Sequence, residues 1–177
     1  MVITFDFDDT LKLTKLLRDE DGDIAGIDYS GDEPNPVVFP EFEAALDRGD
    51  KVHIVTSRSW SEETKEKMQE WLRSKLIIRD KDGKVLTDRF ALLAGIHFTG
   101  GQLKRDTLLS LGSQLHYDDD EEEGKVLKST PIRWVRAPLH RSWRPSDDGR
   151  EDEEGQYLSE SLVRLWVRTI LQTDSPT

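Results

Sequence analysis

The chain of 177 residues contains no cysteine. That absence excludes a disulfide framework, a thiolate zinc site and catalysis by a cysteine nucleophile. It is also compatible with the cytoplasm, the compartment expected for this chain. No run of about 18 apolar residues is present that could cross a bilayer as a helix. No basic, apolar, small-residue signal peptide is visible either, and with Met1 leading directly into a strand no removable leader is expected. Cations are in the minority, with 25 Lys and Arg against 36 Asp and Glu and a formal net charge of −11. A net acidic surface disfavours non-specific binding to nucleic acid, because that binding depends on Lys and Arg neutralising phosphates. It leaves room for a local basic groove.

Hydrophobic residues make up 35% and charged residues 34% of the chain, so it is polar without having the composition of a disordered protein. The length suits one domain, expected over residues 1–172, with a frayed tail at 173–177. No internal repeat is present. Val2, Ile3 and Phe5 form a short β-branched and aromatic run that reads as a strand buried on both faces. The run stops at Asp6, Asp8 and Asp9. Carboxylates this close repel one another and are costly beside a sheet unless a cation sits among them. Parallel strands place ligand sites beyond their carboxyl ends, where such a cluster is well placed for chemistry. The plain alternative is a strand that runs into an acidic, solvated turn.

Further along, Asp21-Gly22 suits a tight turn between Lys15–Arg18 and Ile24–Ile27, so a small hairpin is expected within residues 12–36. The acids there do not make an EF-hand, since counting from Asp19 puts Ile24 at the glycine position and Ser30 at the glutamate position. Pro40 at a first helical position, with Phe42, Ala45 and Leu46 on one face, predicts a helix over 40–48 that ends near Gly49. Lys51-Val-His-Ile-Val-Thr56 is a second buried strand, and it ends in Thr56-Ser57-Arg58. Ser61 then caps a helix that includes Thr64–Leu72. A second turn or hairpin is expected around Asp80-Lys-Asp-Gly83, and a short helix over Asp88–Leu93. Helical spacing runs from Leu103 to Leu111, preceded by Gly100-Gly101 and Lys104; the spacing of a P-loop is absent. Ser113–Tyr117 reads as a strand that runs into six consecutive acids, Asp118–Glu123.

Asp6-Phe7-Asp8-Asp9-Thr10 resembles the first motif, Asp-Xaa-Asp-Xaa-Thr, of the haloacid dehalogenase (HAD) superfamily of phosphatases, including the apolar strand before it and Leu11 after it. The other three motifs of that superfamily follow in order. Thr56 at the end of its strand resembles the second, with Ser57 as the alternative hydroxyl. Lys104, with Arg105 as backup, resembles the third. Asp118-Asp119 after the strand resembles the fourth, and Asp120 with the glutamates reads as charge at a helix N-terminus.

The resemblance implies an α/β, Rossmann-like domain: a parallel sheet flanked by helices, with a small hairpin flap and no large cap domain. It implies that Asp6 is the nucleophile that forms an aspartyl-phosphate, and that Asp8 is the general acid and base. It further implies that Mg²⁺ is held by Asp6, the Asp8 main-chain carbonyl and Asp118, with Asp119 bound directly or through water. Thr56 and Lys104 would hold and neutralise the transferring group, and Thr10, Ser57 and Arg58 would contact substrate. A second Asp two residues after the first marks phosphatases and phosphotransferases rather than dehalogenases.

The substrate expected is a nucleotide or the 3′-phosphate of a nucleic-acid end. That expectation rests on the Thr56-Ser57-Arg58 form, which resembles HAD phosphatases that act on nucleotides or polynucleotide ends, and on the interleaved Arg and Trp of 133–144 (Arg133, Trp134, Arg136, Arg141, Trp143 and Arg144), which can stack on bases and grip phosphates. The same alternation also reads as a sheet edge with Trp packed inward and Arg outward. A phosphoprotein substrate and a non-catalytic binding module of the same fold are the two rivals. Residues 145–157 read as an acidic mobile loop, and 158–172 as an amphipathic helix.

Overall fold

The computed structural model describes residues 1–28 and 30–138. The expectations for residues 139–144, for the loop at 145–157, for the helix at 158–172 and for the tail lie outside the described residues. Nine strands, four α-helices and one 3-10 turn are described. They are β1 (Val2–Phe5), β2 (Lys15–Arg18), β3 (Ile24–Asp28), α1 (Val38–Asp47), β4 (Lys51–Thr56), α2 (Glu62–Leu76), β5 (Ile77–Arg79), β6 (Val85–Asp88), the 3-10 turn Phe90–Leu92, β7 (Gly95–Phe98), α3 (Arg105–Leu111), β8 (Leu115–Asp118), α4 (Glu121–Leu127) and β9 (Arg133–Arg136).

Five of the strands form one sheet in the order β7-β4-β1-β8-β9, and every neighbouring pair in it is parallel. The chain is thus an α/β protein built on a parallel sheet flanked by helices, an arrangement compatible with a Rossmann-like fold. β1 lies at the centre, with Phe5 opposite Ile54 of β4 on one side and Tyr117 of β8 on the other. Ile3, Phe5, Val52, Ile54, Leu115 and Tyr117 point to one face, and there they bury Phe39, Phe42 and Leu46 of α1 and Met68, Trp71 and Leu72 of α2. The alternate residues of the same strands point to the other face. On that side Val55 packs with Leu108 of α3, Leu127 of α4 and Ile132. The second face is smaller and more polar, since Thr4 and His116 are also buried on it.

The hairpin around Asp21-Gly22 is present as β2 and β3, and β5 and β6 form the second one. Ser61 caps α2 as its spacing predicts, accepting the Thr64 N–H at 3.0 Å. Three expectations change. Helix α1 begins at Val38 rather than Pro40, because the Asn35 side-chain oxygen accepts the N–H groups of Val37 and Val38. Pro40 therefore sits in the first turn, where a missing N–H leaves no acceptor unmet. The helix expected over Asp88–Leu93 is only the 3-10 turn, which is held by the Asp88 carboxylate on the Ala91 N–H. Strand β7 was not predicted: it is four residues long and carries a glycine and a histidine, too little for a period to register.

Candidate functional site

Because the sheet is parallel, the carboxyl ends of β1, β4, β7 and β8 lie along one edge, and the chain leaves each of them with a polar residue. The register that places Phe5 beside Tyr117 carries Asp6 to the side of Asp118, and the Asp6 N–H donates to the Tyr117 carbonyl at 2.8 Å. After Asp6 the backbone makes a tight turn. The amides of Leu11 and Lys12 both donate to the Phe7 carbonyl at 3.0 Å, and Asp9 takes a left-handed conformation with φ of 60°. Asp and Asn reach that region more easily than most residues. Its carboxylate is fixed there by the Thr14 N–H at 2.9 Å and the Thr14 hydroxyl at 2.7 Å.

The turn sends the three acids of the first motif to three different places. Asp9 serves the turn. Asp8 accepts two hydrogen bonds of 2.7 Å from the Arg58 guanidinium, one on each oxygen. Only Asp6 joins the carboxylates of the fourth motif. Asp6, Asp118 and Asp119 each offer an oxygen, and these oxygens all lie within 4.8 Å of one another. The Lys104 ammonium donates to Asp6 at 2.8 Å and to Asp118 at 2.6 Å. It is buried, whereas the neighbouring Arg105 is exposed. Asp119, not Asp120, completes the carboxylate group, because Asp120 caps α4 by accepting the Glu122 N–H.

Thr10 was expected at the substrate. It is fully buried, and its hydroxyl lies 3.2 Å from Asp6 and 3.4 Å from Asp119, so in this structure it braces the carboxylates. Thr56 ends β4 as a buried residue, and its hydroxyl accepts the Arg58 N–H at 3.2 Å. Ser57 is exposed on the loop that follows. That loop is strapped down by the turn after β7: Thr99, Gly100 and Gly101 donate their amides to the carbonyls of Thr56, Arg58 and Ser57. Gly100 and Gly101 have φ of +63° and +83°, backbone that glycine adopts without cost and other residues resist.

Two supporting residues carried no sequence signal. Glu123, one of six acids in a run, is buried and accepts the Lys104 main-chain N–H at 3.1 Å. His116, fully buried one strand position before Tyr117, reaches Asp118 with Nε2 at 3.0 Å and Thr4 Oγ1 with Nδ1 at 2.9 Å. Burial lowers the His116 pKa. A neutral ring then donates from Nε2 to Asp118 and accepts at Nδ1 from Thr4.

The electrostatics follow from burial and from these contacts. Burial raises the Asp6 pKa well above the carboxylate norm, and the charges of Asp118 and Asp119 add to this while Lys104 opposes it. Burial also works against ionisation of Asp118, but the Lys104 charge and the His116 hydrogen bond outweigh it and draw that carboxyl down to about 2. Burial would lower Lys104, yet Asp6 and Asp118 hold it raised. Three carboxyl groups share one ammonium, and with all three ionised the group would be short of positive charge. All-oxygen donors with that deficit suit a hard divalent cation, and Asp6, Asp118 and Asp119 are the side chains that would hold it.

Next to Arg58, which holds Asp8, a pocket of about 570 Å³ opens, lined by the apolar Phe7, Met68 and Trp71 and by the cationic Lys12, Arg58 and Lys67 among others. The Arg58 guanidinium stands 5.3 Å and the Lys12 ammonium 6.0 Å from the centre of the Phe7 ring. No helix among the described residues is long and apolar enough to cross a membrane. In comparisons with known proteins, no protein-family model and no curated protein matches this chain.

Proposed function

We propose that this chain is a Mg²⁺-dependent phosphomonoesterase of the HAD type that works through an aspartyl-phosphate on Asp6. One observation carries the proposal: Asp6 and Asp118 leave neighbouring parallel strands side by side, with the buried Lys104 ammonium bonded to both. A carboxylate cannot approach a phosphate dianion unless positive charge offsets the repulsion. Lys104 supplies part of that charge from the protein.

In the first half-reaction Asp6 Oδ attacks phosphorus in line, and the bond from phosphorus to the leaving oxygen breaks. Asp8 in its protonated form gives its proton to that oxygen. In the second half, water attacks the phosphorus of the aspartyl-phosphate and gives a proton to Asp8. The bond to Asp6 breaks, inorganic phosphate leaves, and both aspartates return to their starting forms. Arg58 orients Asp8 through its two hydrogen bonds. Thr56 accepts the Arg58 N–H and so keeps its own hydrogen for a phosphoryl oxygen. Mg²⁺ held by Asp6, Asp118, Asp119 and the Asp8 carbonyl would bind a phosphoryl oxygen and stabilise the charge that develops on it.

Among the described residues, the chain adds only the β2–β3 hairpin and α1 between β1 and β4, and only α2, the β5–β6 hairpin and the 3-10 turn between β4 and β7. An open site of that kind suits nucleotides or the 3′-phosphate of a nucleic-acid end, and these are the substrates proposed. The cytoplasm is the compartment proposed. The test is phosphate release from p-nitrophenyl phosphate with Mg²⁺, with EDTA and with Asp6→Asn, beside a panel of nucleotides, a 3′-phosphorylated oligonucleotide and a phosphopeptide. Release that needs the metal and is lost in Asp6→Asn is expected. A folded protein that releases phosphate from none of these substrates would overturn the proposal and favour a binding module.

A further inference from the structure

We infer that the pocket beside Asp8 receives the leaving group of the substrate, and that this leaving group has a flat or apolar body ending in a second anionic group, a phosphate or a carboxylate, recognised by Lys12 and Arg58. The inference rests on the assignment of Asp6 as nucleophile and Asp8 as acid. It adds a selection rule to that assignment: a monoester with a second anion beyond an apolar spacer is a better substrate than one with a single anion.

Position comes first. Phe7 stands between Asp6 and Asp8 in the chain and forms part of the pocket floor, and Arg58 on the rim holds Asp8 directly. A group that leaves phosphorus and collects a proton from Asp8 therefore departs toward this space. Its volume, about 570 Å³, lies in the range of small-ligand sites, roughly 300–1,000 Å³.

The chemistry of the walls comes second. The floor is apolar and rigid. Phe7 meets Trp71 edge to face with ring centres 5.4 Å apart, and the Trp71 indole N–H is fixed on the Asp32 carbonyl. Met68 packs beside them, and none of the three has polar work to do inside the pocket. That floor favours a ring or a short apolar stretch.

The rim is the unusual part. In a chain of net charge −11, Lys12, Arg58 and Lys67 converge on one opening, with Glu63 paired to Lys67 at 2.6 Å. Lys12 and Arg58 both stand against the Phe7 ring. They are near enough that Arg58 adds to burial in lowering the Lys12 pKa, while Asp8 opposes. Arg58 keeps its two bonds to Asp8, and Lys12 also lies in the field of Asp32 and Asp28; a guanidinium and an ammonium at one opening still suit an arriving phosphate or carboxylate. Lys12 and Arg58 are partly buried and Lys67 is exposed, so Lys67 exchanges partners at the lowest cost.

A matched pair of substrates tests this: phenyl phosphate and 3-carboxyphenyl phosphate, which share the scissile bond and the ring and differ in the second anion. A nucleoside 3′-monophosphate and its 3′,5′-bisphosphate form the phosphate arm, with products identified by chromatography. We expect kcat/KM to favour the doubly anionic member of each pair by about tenfold or more, a gain of the size of a single well-placed charged contact. In Lys12→Ala and Arg58→Ala the preference falls toward unity. Should Arg58→Ala fail to fold, Arg58→Lys and Lys12→Ala carry the comparison, each checked by thermal melting. Equal kcat/KM for both members, from an enzyme that hydrolyses phenyl phosphate, would overturn the inference and leave the phosphatase standing. A preference that survives both rim substitutions would also overturn it. A folded protein inactive on all four substrates would overturn the phosphatase proposal itself, and this inference with it.

Discussion

Glu123 accepts the main-chain N–H of Lys104 at 3.1 Å, so α4 holds in place the residue whose ammonium lies between Asp6 and Asp118. The contact joins two segments 19 positions apart and is buried on both sides. Replacing Glu123 with Ala removes the acceptor and leaves a buried N–H unmet, a loss of about 1–3 kcal/mol. Urea denaturation of Glu123→Ala should show that loss with an unchanged m-value, and Glu123→Gln should recover most of it. A Glu123→Ala protein as stable as the parent would show that the bond carries no weight.

Lys104 is bonded to two buried carboxylates with a third close by. Removing one partner of a buried ion pair typically costs about 3–5 kcal/mol, because the remaining charges are left uncompensated. Lys104→Met should lose that much stability in EDTA. Mn²⁺ or Mg²⁺ should restore part of it, since a divalent cation fits the same carboxylates. In the parent protein the same ions should raise the melting temperature, by an amount equivalent to about 2.7 kcal/mol when the ion is at a hundred times its Kd. Asp118→Asn should abolish the shift. A melting temperature indifferent to divalent cations would argue against the metal site.

Gly124 allows α4 to lie directly on β9. A Cβ at that position would stand 2.4 Å from the ring carbons of Trp134, and that indole donates to the Asp118 carbonyl at 3.2 Å. A rigid ring cannot swing away as a flexible chain would. Gly124→Ala should therefore destabilise by about 1–3 kcal/mol through overpacking, despite the better helix propensity of alanine. Activity should fall as well, because the displaced ring carries the Asp118 backbone with it. A more stable Gly124→Ala protein would contradict the packing described.

His53 and His97 face each other across β4 and β7, with Nδ1 of one 3.1 Å from Nε2 of the other. Burial lowers both pKa values below the ordinary 6.5, and for His53 the His97 charge contributes as well. A histidine with a lowered folded pKa stabilises the protein above its unfolded pKa, and that contribution is lost as pH falls through the folded pKa. Stability should thus decline as pH drops below about 6.5. His97→Gln should flatten the decline by removing one titrating ring and its repulsion. Identical pH profiles for the two proteins would exclude the pair as the cause.

The strand ends were legible because an apolar run that stops abruptly at an acid is a local pattern: Phe5 to Asp6, and Tyr117 to Asp118. The caps at Ser61 and the turns at Gly22 and Gly83 are local in the same way. What the sequence concealed was the sorting of chemically identical residues. Asp6, Asp8 and Asp9 read alike, yet they face Lys104, Arg58 and Thr14, partners 98, 50 and 5 positions away. Glu123 is one of six acids in a run, and only the helical turn after Asp120 directs it inward while Glu121 and Glu122 face outward or half outward. The burial of Thr10 beside Asp6 and Asp119 is likewise invisible in composition. β7 was too short and too polar to show a period, although it anchors the loop that carries Arg58.

The central place of β1 has a consequence for the order in which the protein comes into being. β1 precedes both strands that enclose it, β4, which begins at Lys51, and β8, which begins at Leu115. During synthesis its acidic end emerges long before Lys104, the cation that will offset it, or Asp118, its companion. Contacts of such long sequence separation are closed late and slowly. A nascent chain released before Asp118 would have neither the neighbouring strand nor the carboxylate group, so partial synthesis gives no partial site. The carboxylate group is complete only when the two sides of the sheet have closed around β1.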